Sequence, residues 1–277
     1  MSRLSSELGS NDLQKSAIVF SPHQDDETLG CGGTILSKKK AGANIRVVFM
    51  TDGCRSHSHL MSENELRLIR SKEAIAACKV LGIDEENVVF LNFEDGRLSE
   101  NQEAAVRKVT EILLADRPQQ VFIPYYRDGH PDHSMTNSVV LAALKTQGVD
   151  VTVYEYPVWF WFHWPWVSFW GSRWEIKSAL KNTIRARFGM RLFRDFRSSV
   201  SIGSVLHLKR AALEQHQTQM TRLIPDPTWA TLKDVSQGRF LDCLLQDKEF
   251  FYRYELSGEN TEQPRVPAVL SKSSPDH

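Results

Sequence analysis

An alternation constrains this chain more than any other feature. Short β-branched and aromatic runs, "AIVF" (17–20), "IRVVFM" (45–50), "NVVFL" (87–91), "QVFIP" (120–124) and "VTVYEY" (151–156), punctuate stretches with helical spacing near 28–41, 62–81, 100–116 and 133–147. Strands this apolar have no face for water, so both faces must be covered. A strand–helix–strand rhythm makes neighbouring strands parallel. The pattern predicts an α/β domain with a Rossmann-like parallel sheet, three layers deep. In such a sheet ligands bind beyond the carboxyl ends of the strands. Residues 14–255 read as one domain, while 1–13 and the polar, Pro/Ser-rich 257–277 are expected to be disordered.

Two loops at strand ends carry the chemistry. "SPHQDDETLGCGG" (21–33) follows the strand "AIVF", and "RDGHPDHS" (127–134) follows "QVFIP". Each contains His-x-Asp and each falls where a strand gives way to a helix, so a parallel sheet puts both on one edge. Residues i and i+3 share a side of a first helical turn, which pairs His23 with Asp26 and His130 with His133. A catalytic zinc takes three protein ligands and keeps one open position. His23, Asp26 and one histidine of the second loop meet that count. A cation would also offset the repulsion among Asp25, Asp26 and Glu27, which the helix N-terminus further relieves. Alternatively, those acids could be first-turn residues and "DGHPDH" a turn.

The glycines of "GCGG" (30–33) fail the dinucleotide fingerprint, because Ile35 stands where G-x-G-x-x-G needs glycine. They suit close packing of helix on strand. The 34 basic and 34 acidic side chains cancel, which gives no overall bias toward nucleic acid. Four scattered cysteines without a CxxC pair argue against a zinc ribbon or a disulfide framework and for a reducing, cytoplasmic setting. No apolar run is long enough to span a bilayer.

Beyond residue 156 the character changes. "PVWFWFHWPWVSFWGSRW" (157–174) holds six of the seven tryptophans, and residues 171–222 hold eleven Lys/Arg against three Asp/Glu. This aromatic and basic insertion, 157–200, admits three roles. It can pack on the core or in a homo-oligomer interface, wall the mouth of a site, or seat the chain peripherally at a membrane through 157–197. A helix is expected over 204–220, then a last helix at "RFLDCLLQ" and a last strand at "EFFYRYEL". His57 and His59 read as residues of a loop over the site or of the solvated surface, and Cys54 as an inert thiol.

"SPHQDDETLGCGGTI" with "GHPDHSMT" resembles the two signature motifs of the PIG-L/LmbE-like zinc de-N-acetylases, and "TDG" (51–53), "RSKEAIAACKVLGI" (70–83), "FEDGRL" (93–98) and "LKRAALEQHQTQM" (208–220) resemble further segments of that family. The resemblance implies a zinc-dependent hydrolase that removes the N-acetyl group of a small amino-sugar substrate. It implies zinc ligation by His23, Asp26 and His133, and Asp25 as general base on the metal's water. It gives His130 a part in stabilising the tetrahedral intermediate, with Asp132 as a neighbouring orienter. It points to Gln219 for substrate contact; Arg70 and Asp95 are further candidates for that contact, with a surface helix arginine as the alternative for Arg70. Gln24 stands where the family usually has Pro. Asp128 stands where some members carry a Tyr that helps hold the oxyanion, a part for which Tyr125 and Tyr126 are substitutes. Amide cleavage of another small conjugate, and a non-catalytic, membrane-associated carbohydrate-binding protein, are alternatives at this point.

Overall fold

A computed structural model describes residues 5–167 and 173–257. Eight strands form one sheet: β1 (Ser6–Glu7), β2 (Ala17–Ser21), β3 (Ile45–Thr51), β4 (Val88–Phe93), β5 (Gln120–Pro124), β6 (Val151–Tyr156), β7 (Ser198–Ser201) and β8 (Lys248–Leu256), in the order β1-β7-β8-β6-β5-β2-β3-β4. The five strands expected from the apolar runs are β2 to β6, and each pairs in parallel with its neighbours in that set. β8 adds antiparallel pairings to β6 and β7. The fold is thus α/β with a mostly parallel central sheet.

Side-chain alternation separates two cores. Val19, Val47 and Phe49 face one of them, and Ile18, Phe20, Val48 and Met50 face the other. The first is covered by α2 (Asp26–Lys40), α3 (Glu63–Val80) and α8 (Leu206–Leu213), the second by α4 (Gln102–Asp116) and α5 (Pro131–Gln147). Chain order reverses between β2 and β5, which are adjacent. Ligands of such sheets bind at the switch point, outside the carboxyl ends of the strands, and both acidic-histidine loops start there.

The glycines of α2 serve close approach. A Cβ at Gly30 would sit 2.2 Å from the Tyr156 ring, and one at Gly33 would sit 2.6 Å from Ile202. Near them Cys31 leaves helical geometry at φ −147°. At this kink a buried ion pair enters the backbone ladder. Lys209 Nζ donates to Leu29 O (2.9 Å) and pairs with Glu249 (2.7 Å), whose carboxylate accepts from the amides of Gly33 and Thr34. Side-chain insertion of this kind is a recognised cause of helix kinks.

Two expectations need correction. Residues 5–13 are not disordered: β1 pairs with β7, α1 (Ser10–Gln14) follows, and Lys38 Nζ donates to Asp12 O. These tertiary hydrogen bonds order a stretch whose own composition would not. Residues 1–4 and 258–277 lie outside the described residues. The helix expected over 204–220 breaks into α8 and α9 (Gln217–Met220), because the backbone turns at His216 (ψ 63°), which reaches Glu27 Oε1 at 3.2 Å.

Glu155 on β6 is buried, accepting from Tyr126 N (3.0 Å) and Tyr254 Oη (2.9 Å). Burial pushes its carboxyl from 4.5 up to about 7, against those hydrogen bonds. Between these pH values the unfolded chain has released a proton that the folded chain keeps. Stability therefore falls as pH rises through that window and levels off above it. The full deficit is on the order of 3 kcal/mol. Glu155→Gln should flatten this slope and raise the unfolding midpoint at pH 8 by about 5 °C. Thermal unfolding from pH 4.5 to 8 checks this, and equal slopes in both proteins would refute it.

Candidate metal and active site

α2 begins directly after the first loop. Its N-cap residue, Asp25, sits at φ 152°, ψ −24°, a region that side-chain-bearing residues avoid. The strain is held by its surroundings. Asp25 N donates to Glu27 Oε2 (3.1 Å), its carbonyl accepts from Thr28 N and Leu29 N, and Arg70 Nη2 lies 3.6 Å from Asp25 Oδ1. Conformations of this kind persist where the fold over-determines them, and they cluster at functional sites. α5 begins with Pro131 at its first position and His130 as N-cap, whose Nδ1 accepts from Asp132 N.

The two loops converge. The ring centroids of His23 and His133 are 5.5 Å apart, with His130 at 4.9 Å from His23 and 5.3 Å from His133. Asp26 Oδ2 lies 3.1 Å from both His23 Nδ1 and His133 Nε2. His133 is fully buried, its Nδ1 is 2.7 Å from Asp128 Oδ2, and its Nε2 makes no hydrogen bond. A nitrogen buried without a hydrogen-bond partner, its lone pair exposed by a carboxylate on the opposite ring nitrogen, is prepared for a cation. Ligand atoms of a tetrahedral ion held at about 2.1 Å stand roughly 3.4 Å apart, close to the two contacts of Asp26 Oδ2. Ligand atoms of His23, His130 and His133 also lie within 4.8 Å of one another, as do those of His23, Asp95 and Asp132. The cluster can therefore hold a metal ion.

Charge is distributed unevenly. Burial raises Asp25 to about 6, helped by the charge of Asp26 and opposed by Arg70. Burial opposes the charge of Asp26 too, yet His133 and His23 hold it far below the carboxylate range. Burial also disfavours the His133 imidazolium, but Asp26 and Asp128 outweigh it and raise it to about 9. His130 goes the other way, to about 3, through burial and repulsion from His23 and His133. A cation binding here would displace the protons that His23 and His133 share with carboxylates.

Asp132 accepts from Gly96 N (2.8 Å) and lies 3.3 Å from His23 Nε2. Asp95 accepts from Arg55 N and also stands 3.3 Å from His23 Nε2. Arg70 is buried, donating to Gln24 O and Gly53 O under Asp25. Gln219 is bonded to Ser56 and Thr218. Tyr125 is buried with its hydroxyl on Asp195 (2.6 Å), and Tyr126 Oη accepts from Arg191, so both hydroxyls have partners within the insertion. His57 is not solvent-exposed: it stacks on Trp229 at 4.2 Å, with Nε2 on Ala230 O. Gln24 is buried and donates to Thr51 O, tying the loop to β3.

Sequence reasoning missed the part of Asp128. Besides His133, its carboxylate accepts the amides of Val158 and Phe160 (both 2.8 Å) and of Trp159 (3.0 Å). One side chain thus fixes the ring of His133 and the start of the insertion. Its spacing from His133, within a turn ending in Pro, is the signal that was available.

Known proteins resemble this chain in sequence and in fold. The family model described as PIG-L: GlcNAc-PI de-N-acetylase matches residues 18–144. Diacetylchitobiose deacetylase of Thermococcus kodakarensis is 28% identical over 145 residues, which are 50% of this chain and 52% of that protein. The chain thus spans about half the length of that relative. The 1D-myo-inositol 2-acetamido-2-deoxy-alpha-D-glucopyranoside deacetylase of Rhodococcus jostii is 24% identical over 276 residues, 81% of this chain and 88% of that protein. Among solved structures, N,N'-diacetylchitobiose deacetylase from Pyrococcus horikoshii shares the fold, with a TM-score of 0.62 at 21% identity over 88% of this chain and 84% of that one. The segment 18–144, which carries both acidic-histidine loops, is thus the part of the chain that is similar to the PIG-L family.

Proposed function

We propose that this chain is a metal-dependent de-N-acetylase that hydrolyses the N-acetyl amide of a small amino-sugar conjugate. The observation that carries the reading is the approach of Asp26 Oδ2 to both His23 Nδ1 and His133 Nε2, with a strained, burial-raised Asp25 beside them. His23, Asp26 and His133 would hold the ion, and two imidazoles with one carboxylate suit zinc. When bound, such an ion supplies a Lewis acid and acidifies water. Asp25 takes the proton of the attacking water. Its elevated pKa makes it a stronger base than an exposed carboxylate, and Arg70 holds it in place.

His130 works as a neutral donor. Its Nδ1 accepts from Asp132 N, so the ring proton sits on Nε2, and the depressed pKa keeps the ring uncharged near neutrality. A neutral imidazole of this kind can donate to an oxyanion, as in triosephosphate isomerase. Asp25 then hands its proton to the departing amine, since a ring with so low a pKa holds no second proton to give.

The test is acetate release from N,N'-diacetylchitobiose, GlcNAc-inositol and GlcNAc-malate by the purified chain. Release should disappear with a chelator and return with zinc or another divalent ion. No acetate from any of these with metal bound would overturn the reading.

A further inference from the structure

The geometry points to a docking face for anionic lipid bilayers on the outside of the insertion, formed by α6 (Arg173–Arg185), the turn after it and α7 (Met190–Asp195). This goes beyond the proposed chemistry and does not depend on it. Among the described residues, seven of the eleven exposed large hydrophobic side chains fall within 164–193. Leu180 is 52% exposed, Ile184 61%, Phe188 66%, Met190 62% and Phe193 54%, and Trp164 adds an indole at 48%. A surface that spends this much apolar area on water in one short segment marks a place of contact.

The face has a rim of one sign. Residues 173–197 contain eight Lys/Arg and two Asp/Glu. Both acids are engaged on the protein side: Glu175 accepts from Ser236 N, and Asp195 accepts from Tyr125 Oη. Lys177, Lys181, Arg185, Arg187 and Arg194 are exposed around the apolar residues. The inner face of α6 and of the turn after it is small and buried (Ala179, Thr183, Ala186), so the helix presents its large side chains outward. An apolar stripe with basic flanks lies in the interfacial plane of a bilayer, where its side chains enter the acyl boundary and its charges meet anionic headgroups.

A second copy of the chain is the competing occupant, and charge argues against it. A two-fold interface sets the same patch against itself, which would bring the basic rim onto its own image. An anionic bilayer satisfies both halves of the surface. Docking would also hold the second acidic-histidine loop close to the membrane. A Cβ at Gly129, beside His130, would lie 3.3 Å from the amide of Asn182 on α6. One helix diameter, about 10 Å, then separates that loop from the lipid surface.

The experiment is co-sedimentation of the full chain with phosphatidylcholine vesicles and with vesicles containing phosphatidylglycerol, at low and high salt. Binding should be at least tenfold stronger to the anionic vesicles and should weaken with salt. Leu180→Glu with Phe188→Glu should abolish it with an unchanged unfolding midpoint. Lys177→Gln with Lys181→Gln should lower it roughly twenty-five-fold, at about fivefold per charge, and tests the proposal even if the first variant fails to fold. Equal affinity for both vesicle types, or none for either, would overturn it. So would a dimer in size-exclusion chromatography that Phe188→Glu dissolves without any vesicle binding, which would assign the face to a second copy.

Discussion

Replacing His133 with alanine is expected to empty the metal site and to lower amide hydrolysis by at least about a thousandfold. That factor corresponds to the several kcal/mol of charge stabilisation that a catalytic ion supplies, at about 1.4 kcal/mol per tenfold. His133 is fully buried and offers Nε2 alone, since its Nδ1 is held by Asp128 at 2.7 Å. Alanine removes the ligand and leaves Asp26 and His23 too few to close a site. The fold should survive, because the Asp128 carboxylate keeps its three backbone amides. Metal content of the purified variant, measured with its circular dichroism, is the check. Full occupancy in a folded variant would remove His133 from the ligand set.

Asp25→Asn should keep the metal and still lose at least about a hundredfold in turnover, the ordinary size of a general-base contribution. Asparagine has the same shape, so the strained turn at φ 152° and the hydrogen bonds of its backbone remain. What it lacks is the ability to take a proton. The two substitutions therefore separate: one variant is inactive without metal, the other inactive with it. Hydrolysis near the wild-type rate by metal-loaded Asp25→Asn would transfer the base role to another residue.

Much of this was legible in the residues because local and tertiary demands agree there. Strands β2 to β6 are apolar on both faces, and α3 opens with Ser62 accepting from Glu65 N, a cap visible in the sequence. The first and second loops were found because their chemistry sits where parallel strands end. β7, "SSVS", escaped notice because its residues carry no apolar signal and its pairing depends on β8, some fifty residues on. Arg70 was weighed as a surface residue, although Leu66, Ala74 and Ala77 put it on the buried side of α3. The helical period held that information, but a charged residue on an apolar stripe is easily set aside until a partner such as Asp25 is seen. The kink of α2 was beyond reach, since it needs Lys209 and Glu249 from distant parts of the chain.

Asp128 has a practical consequence for anyone exchanging parts between relatives of this chain. The carboxylate that steadies the ring of His133 is the same one that receives the first three amides of the aromatic segment. A chimera that replaces 157–200 must reproduce that amide arrangement at its entry point. Otherwise the graft loosens an imidazole it never touches, and a change meant to alter the rim would arrive as a weaker grip on any ion that imidazole holds.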